Sequence, residues 1–154
     1  ELRERLAMKT WILAAAMGLA TQTATAQEMV TYTTDQSYGD VAFGLESAIL
    51  DRGLVIDSVS HVGEMLERTR ADVGSDVVLY KEADAYSFCS ATLSREVMEA
   101  DPMNIAYCPY DIFIAERADT EGEVIIGYRG FPEGEMQKIQ KLLDGIARAA
   151  IGME

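Results

Sequence analysis

The sequence predicts an α+β domain, an antiparallel sheet covered by helices on one face. Three observations carry that expectation. Short, β-branched, alternating stretches recur between stretches of helical spacing. Two of the latter place apolar residues every three or four positions: Val41, Leu45, Ala48 and Ile49 in one, and Met136, Ile139, Leu143, Ile146 and Ala150 in the other. Finally, Tyr110, Ile112 and Ile114 alternate with Asp111, Phe113 and Ala115, a turn follows at Asp119 to Gly122, and Val124, Ile126 and Tyr128 alternate again. That is a hairpin pattern. Strands joined by hairpins and local connections pack most economically as an antiparallel sheet with helices on one side.

Taken in order, Met29 to Thr34 alternates and reads as a first strand. Ser37, with Asp40 three residues on, forms a capping-box variant at the head of a helix that Gly53 stops. Leu54 to Ser60 returns to two-residue alternation, with Leu54, Ile56 and Ser58 facing one way and Val55, Asp57 and Val59 the other. Val62, Met65, Leu66 and Thr69 space as a short helix ending near Gly74. Val77 to Tyr80 is too short to classify alone; with the strand-like Ala83 to Cys89 it makes one interrupted strand. Between Thr92 and Ala100, the spacing of Leu93, Val97 and Met98 predicts a short helix halted by Asp101-Pro102, because proline disfavours helical geometry in the residue before it. The last helix is expected over Glu133 to Gly152, with acids at its start and Lys138, Lys141 and Arg148 off the apolar face. The predicted order is strand, helix, strand, short helix, strand, short helix, two strands, helix.

Upstream of the domain, Met8 opens a secretory signal pattern. Lys9 supplies the positive start, Trp11 to Ala20 is apolar, and Ala24-Thr25-Ala26 is a small-residue cleavage signal. Residues 1–26 are therefore assigned to upstream residues and a cleavable signal, and 27–154 to a single domain beginning at Gln27, exported to the periplasm or secreted. The apolar run is about half the roughly twenty residues a spanning helix needs, so no membrane span is expected. The whole chain has a formal net charge of −13. Removing Arg3, Arg5 and Lys9 together with Glu1 and Glu4 leaves −14, a surface that repels nucleic acid and anionic lipid.

Several stretches taken together resemble the bacterial family catalogued as "domain of unknown function 302". They are Ser60 to Leu66 (SHVGEML), Phe88 to Ala91 (FCSA), Cys108-Pro109-Tyr110 leading into Ile112-Phe113-Ile114, and Tyr128 to Pro132 (YRGFP). The resemblance runs from about Tyr38 to the last helix. It implies a fold similar to the TATA-box-binding-protein-like class (strand, helix, four strands, helix) and a homodimer. Ser90-Ala91 stands where many relatives carry Asn-Pro, which marks this chain as an exported branch. The family brings no reaction with it.

Chemistry is concentrated in few residues. Cys89 and Cys108 are the two cysteines, and an even count in an exported protein favours a disulfide. If the strands on either side of the short helix are antiparallel neighbours, both cysteines lie at the same end of the sheet, and a bond between them closes a loop of about 20 residues, worth on the order of 3 kcal/mol. Reduced buried thiols, or a redox or metal-thiolate role, are the alternatives; the spacing is neither a C-x-x-C motif nor a zinc pair. His61, the one histidine, suggests a copper or haem site with a cysteine and a methionine. Against that, His61 follows the second strand and falls at the sheet end opposite the cysteines, where it reads as the start of a helix or a partner of Glu64. Met98, Met103 and Met136 read as core filling, Ser90 and Ser94 as helix caps, and Tyr86, Tyr107, Tyr110 and Tyr128 as packing residues, with Tyr107 and Tyr110 near enough to the cysteines to line a binding pocket.

No nucleophile with a base, and no paired carboxylates at a cleft, can be picked out. The sequence therefore supports a non-enzymatic binding or accessory domain with no cofactor and an unspecified ligand or protein partner. The alternative is a thiol- or metal-dependent redox protein using Cys89 and Cys108 with copper or haem.

Overall fold

The computed structural model describes residues 28–153. Five strands form one antiparallel sheet: β1 (Met29–Thr34), β2 (Val55–Ser60), β3 (Tyr80–Cys89), β4 (Tyr110–Arg117) and β5 (Val124–Arg129), in the order β1-β5-β4-β3-β2. Helices α1 (Tyr38–Leu50), α2 (Val62–Thr69), α3 (Ala91–Ala100) and α4 (Gln137–Ala150) connect or follow them, and a 3-10 segment, Pro102–Tyr107, joins α3 to β4. This is the expected α+β order, and the signal segment lies outside the described residues.

The pattern that predicted α1 and α4 also builds the core. Val41, Leu45 and Ile49 of α1 and Ile139, Leu143 and Ile146 of α4 are fully buried against Phe88, Ile112, Ile114 and Ile126 of the sheet. The two helices meet backbone to backbone: a Cβ at Gly44 would stand 2.1 Å from the carbonyl oxygen of Ala150. Ser37 caps α1 as expected, accepting from the Asp40 N–H while its hydroxyl donates to the Asp40 carboxylate at 2.6 Å. Ser90 caps α3 by accepting from Leu93 N–H. The β4–β5 hairpin is held at its turn by Glu116, which accepts from the Gly122 backbone N–H at 2.9 Å and pairs with Lys81.

Several expectations need correction. β2 does not alternate cleanly, because the register slips between Ile56 and Ser58; the extra residue, Asp57, puts Ile56 and Val59 together on the half-buried side. The two segments expected as one interrupted strand are β3 from Tyr80 onward, with a register shift between Tyr80 and Glu82, while Val77 and Val78 precede the strand. The last helix starts at Gln137, after Gly134 has taken a left-handed φ of 94°. Of the three methionines expected in the core, Met136 is buried and Met98 packs against it, but Met103 on the 3-10 segment is 70% exposed. Ser94 caps nothing; it shares a hydrogen bond with the Tyr110 hydroxyl at 2.9 Å.

Candidate functional site

The sheet carries chemistry at both ends. At one end, β3 finishes at Cys89, α3 and the 3-10 segment carry the chain out and back, and β4 begins just after Cys108; Phe88 is paired with Tyr110 in the register. The antiparallel return therefore brings the two cysteines together. Both carry free thiols and both are half-buried, and they lie close enough for Cys108 to raise the Cys89 thiol. Burial, the neighbouring Cys108 and the charge of Asp57 push the Cys89 thiol up to about 12, only partly opposed by the Tyr110 backbone N–H. A thiol so placed is protonated at neutral pH and a slow nucleophile.

The aromatic residues near this end serve the core. Tyr107 and Tyr110 each meet the ring of Phe131 edge-on, with centroids 5.9 and 6.0 Å apart. Tyr110 is buried and its hydroxyl is committed to Ser94. Tyr107 is half-buried and packs against the same cluster.

At the other end, β2 stops at Ser60, opposite Ala85, while β3 runs on toward Tyr80. Helix α2 takes the place that a longer β2 would fill. It comes so close that a Cβ at Gly63 would lie 2.8 Å from the Ala83 backbone nitrogen. Here His61 is the residue that enters α2, but its ring does not cap the helix and does not bond Glu64 as expected. Its Nδ1 lies 2.7 Å from Asp84 Oδ1, and the other Asp84 oxygen accepts from the Tyr38 hydroxyl at 2.8 Å. The His61 side chain is 63% exposed and that of Asp84 17%. Burial first, and then the bond to Asp84, raises the Tyr38 hydroxyl well above the usual phenol range, so it is a fixed donor. An ionised Asp84 accepting from both neighbours requires the proton on His61 Nδ1, which leaves Nε2 as an acceptor in the neutral ring.

These groups border an open cleft of about 620 Å³ between α2 and β3, where His61 and Asp84 are joined by Glu64, Val78, Tyr80 and Glu82. The cysteines do not reach it. Val55, at the start of β2, pairs with Cys89, whereas His61 follows the end of the same strand. A copper or haem site combining His61 with Cys89 or Cys108 is thus not assembled within one chain. Among the described residues, no group of three or more His, Cys, Asp or Glu is arranged to hold a metal ion.

Sequence reasoning singled out His61 but missed Tyr38 and Asp84, which lie 46 residues apart and contact each other only in the fold. One signal was available. Asp84 shares the face of Tyr86 and Phe88 in the β3 alternation, and a carboxylate on the inward face of a strand must find donors.

No helix among the described residues is long and apolar enough to cross a membrane. No curated protein matches the chain. A crystal structure of an uncharacterized conserved DUF302 protein from Bacillus stearothermophilus is similar, with a TM-score of 0.57 and 13% identity over 80% of this chain and 92% of that one. At that identity the likeness is one of fold. The family model described as "Domain of unknown function DUF302" matches residues 30–146, most of the chain and both ends of the sheet just described, and the protein belongs to that family.

Proposed function

We propose that this protein is an exported, non-enzymatic binding or accessory domain whose sheet is cross-linked by a Cys89–Cys108 disulfide. The observation that carries the proposal is the contact of the two thiols where β3 and β4 meet. In an oxidising compartment, paired thiols in contact are converted to a disulfide, and this one closes a loop of about 20 residues, worth on the order of 3 kcal/mol. The raised Cys89 thiol favours a structural bond over thiol exchange, since exchange needs a ready thiolate. Export is supported by the Lys9, Trp11–Ala20 and Ala24-Thr25-Ala26 pattern. The family resemblance extends the reading to a homodimer, which light scattering on the purified protein checks.

The test is the intact mass of protein recovered from the periplasm, denatured and alkylated with and without reduction. A chain starting at Gln27 that gains two alkyl groups only after reduction supports export and the bond together. Two thiols that alkylate without reduction overturn the disulfide and move attention to thiol-based redox or metal chemistry at Cys89 and Cys108.

A further inference from the structure

The cleft between α2 and β3 holds groups that the cross-link does not use. His61 Nε2 has no partner among the described residues, while its Nδ1 is fixed by Asp84. In the neutral tautomer with its proton on Nδ1, the ring borders the cleft as an oriented acceptor, backed by a carboxylate that is itself anchored by Tyr38. The other charges around the cleft are largely committed. Glu64 pairs with Arg68, Glu67 with Arg70, and Lys81 with Glu116 and Glu121. Glu82 is the exception, an exposed carboxylate with neither ion pair nor hydrogen bond among the described residues. Tyr80 and Val78 add an aromatic and an apolar wall.

We propose that this cleft binds a primary ammonium group. One ammonium N–H donates to His61 Nε2 and another to Glu82, and the attached carbon chain lies along Tyr80 and Val78. Each feature selects against a different competitor. The unpaired carboxylate and the chain's net charge of −13 disfavour anions. The imidazole acceptor favours an N–H over a quaternary ammonium, which has no proton to donate to it and is left with the carboxylate charge and the aromatic face. Two acceptors on one cleft, with no group of three or more His, Cys, Asp or Glu arranged among the described residues to hold a metal ion, suit an ammonium better than a metal. The ammonium can belong to a small free amine or to a lysine side chain; the site chemistry is the same.

This inference rests on the binding-domain reading but not on the disulfide, which mass reads separately, so either can fail alone. The experiment is a titration of the purified, isotope-labelled protein followed by backbone amide shifts. The probes are n-butylammonium and Nα-acetyl-lysine methylamide, with tetramethylammonium and n-butanol as controls. Saturable shifts confined to Gly63, Glu64 and the Tyr80 to Asp84 stretch are expected with both ammonium probes. Tighter binding of n-butylammonium assigns a free amine, and tighter binding of the blocked lysine assigns a protein side chain. Glu82→Gln, an exposed change that leaves the amide spectrum otherwise intact, is expected to weaken binding about tenfold, the size of one charge-assisted hydrogen bond. His61→Ala is expected to do the same. Shifts that do not saturate, shifts of equal size with tetramethylammonium or n-butanol, or binding unchanged in Glu82→Gln overturn the proposal.

Discussion

Replacing Tyr38 by Phe tests whether the Tyr38–Asp84–His61 chain is a strong feature of the fold. Tyr38 is 7% exposed, and its hydroxyl donates to Asp84 Oδ2 at 2.8 Å and approaches the Ile114 carbonyl at 3.5 Å. The ring stays in place in the Phe variant, so the change isolates the hydroxyl. A hydrogen bond to a charged acceptor is worth about 1.5–3 kcal/mol. Asp84 keeps 17% of its side-chain surface in water, so solvent recovers part of that loss. The expected destabilisation is about 1–2 kcal/mol, which at a urea m-value of about 2 kcal/mol per molar moves the midpoint down by roughly 0.5–1 M. Urea unfolding of the wild type, Tyr38→Phe, Asp84→Asn and the double variant closes the cycle. A coupling energy of about 1 kcal/mol is expected for residues in direct contact. A Tyr38→Phe midpoint unchanged from wild type, or additive single variants, would refute the reasoning: the hydroxyl would then not be held by Asp84 in solution.

Three other outcomes follow from the packing and the titrating groups. Gly44→Ala should destabilise the protein by about 1–3 kcal/mol, because its methyl group would meet the Ala150 carbonyl oxygen at 2.1 Å and force α1 and α4 apart; thermal unfolding measures it. Alkali should also destabilise the fold. The hydroxyls of Tyr38, Tyr86 and Tyr128 are all raised in the folded protein, chiefly by burial, and Tyr86 reaches about 12. In the unfolded chain they lose their protons near pH 10, so their contribution is complete below that pH and is lost as pH rises toward the folded values. A midpoint that does not fall between about pH 10 and 12 in urea titrations at fixed pH contradicts this. In folded protein reduced beforehand, Cys89 should alkylate at pH 8 roughly thirtyfold more slowly than an unperturbed thiol, a large loss of thiolate partly offset by higher intrinsic nucleophilicity. Peptide-resolved mass spectrometry reads that rate, and labelling as fast as in the denatured chain would contradict the burial argument.

Much of the fold was legible because its signals are local. The period of apolar residues over Val41 to Ile49 and Met136 to Ala150 needs nothing beyond the segment itself, and the same residues are the buried ones. The Tyr110–Tyr128 hairpin declares itself by alternation around a polar turn. The meeting of Cys89 and Cys108 was also foreseeable, since it depends only on neighbouring antiparallel strands. Boundaries were less legible. Gly134 sets the start of α4 through a backbone conformation that the preceding acids do not announce, and Met103 is exposed because the chain after Asp101 becomes a 3-10 turn on the surface.

The residues alone determined the α+β class, the element order, the placing of both cysteines at one end of the sheet and the exclusion of His61 from that end. Those properties follow from chain periodicity and strand direction. Only the tertiary structure decided the company His61 keeps. Its contact with Asp84 depends on β2 ending early so that α2 packs on the exposed margin of β3, and on a Gly63 that lets the helix approach. The second donor, Tyr38, comes from a helix on the far side of β2 in sequence and reaches Asp84 only once α1 is seated on the sheet. Side chains separated by tens of residues share no local period, so their meeting is a property of packing and not of pattern.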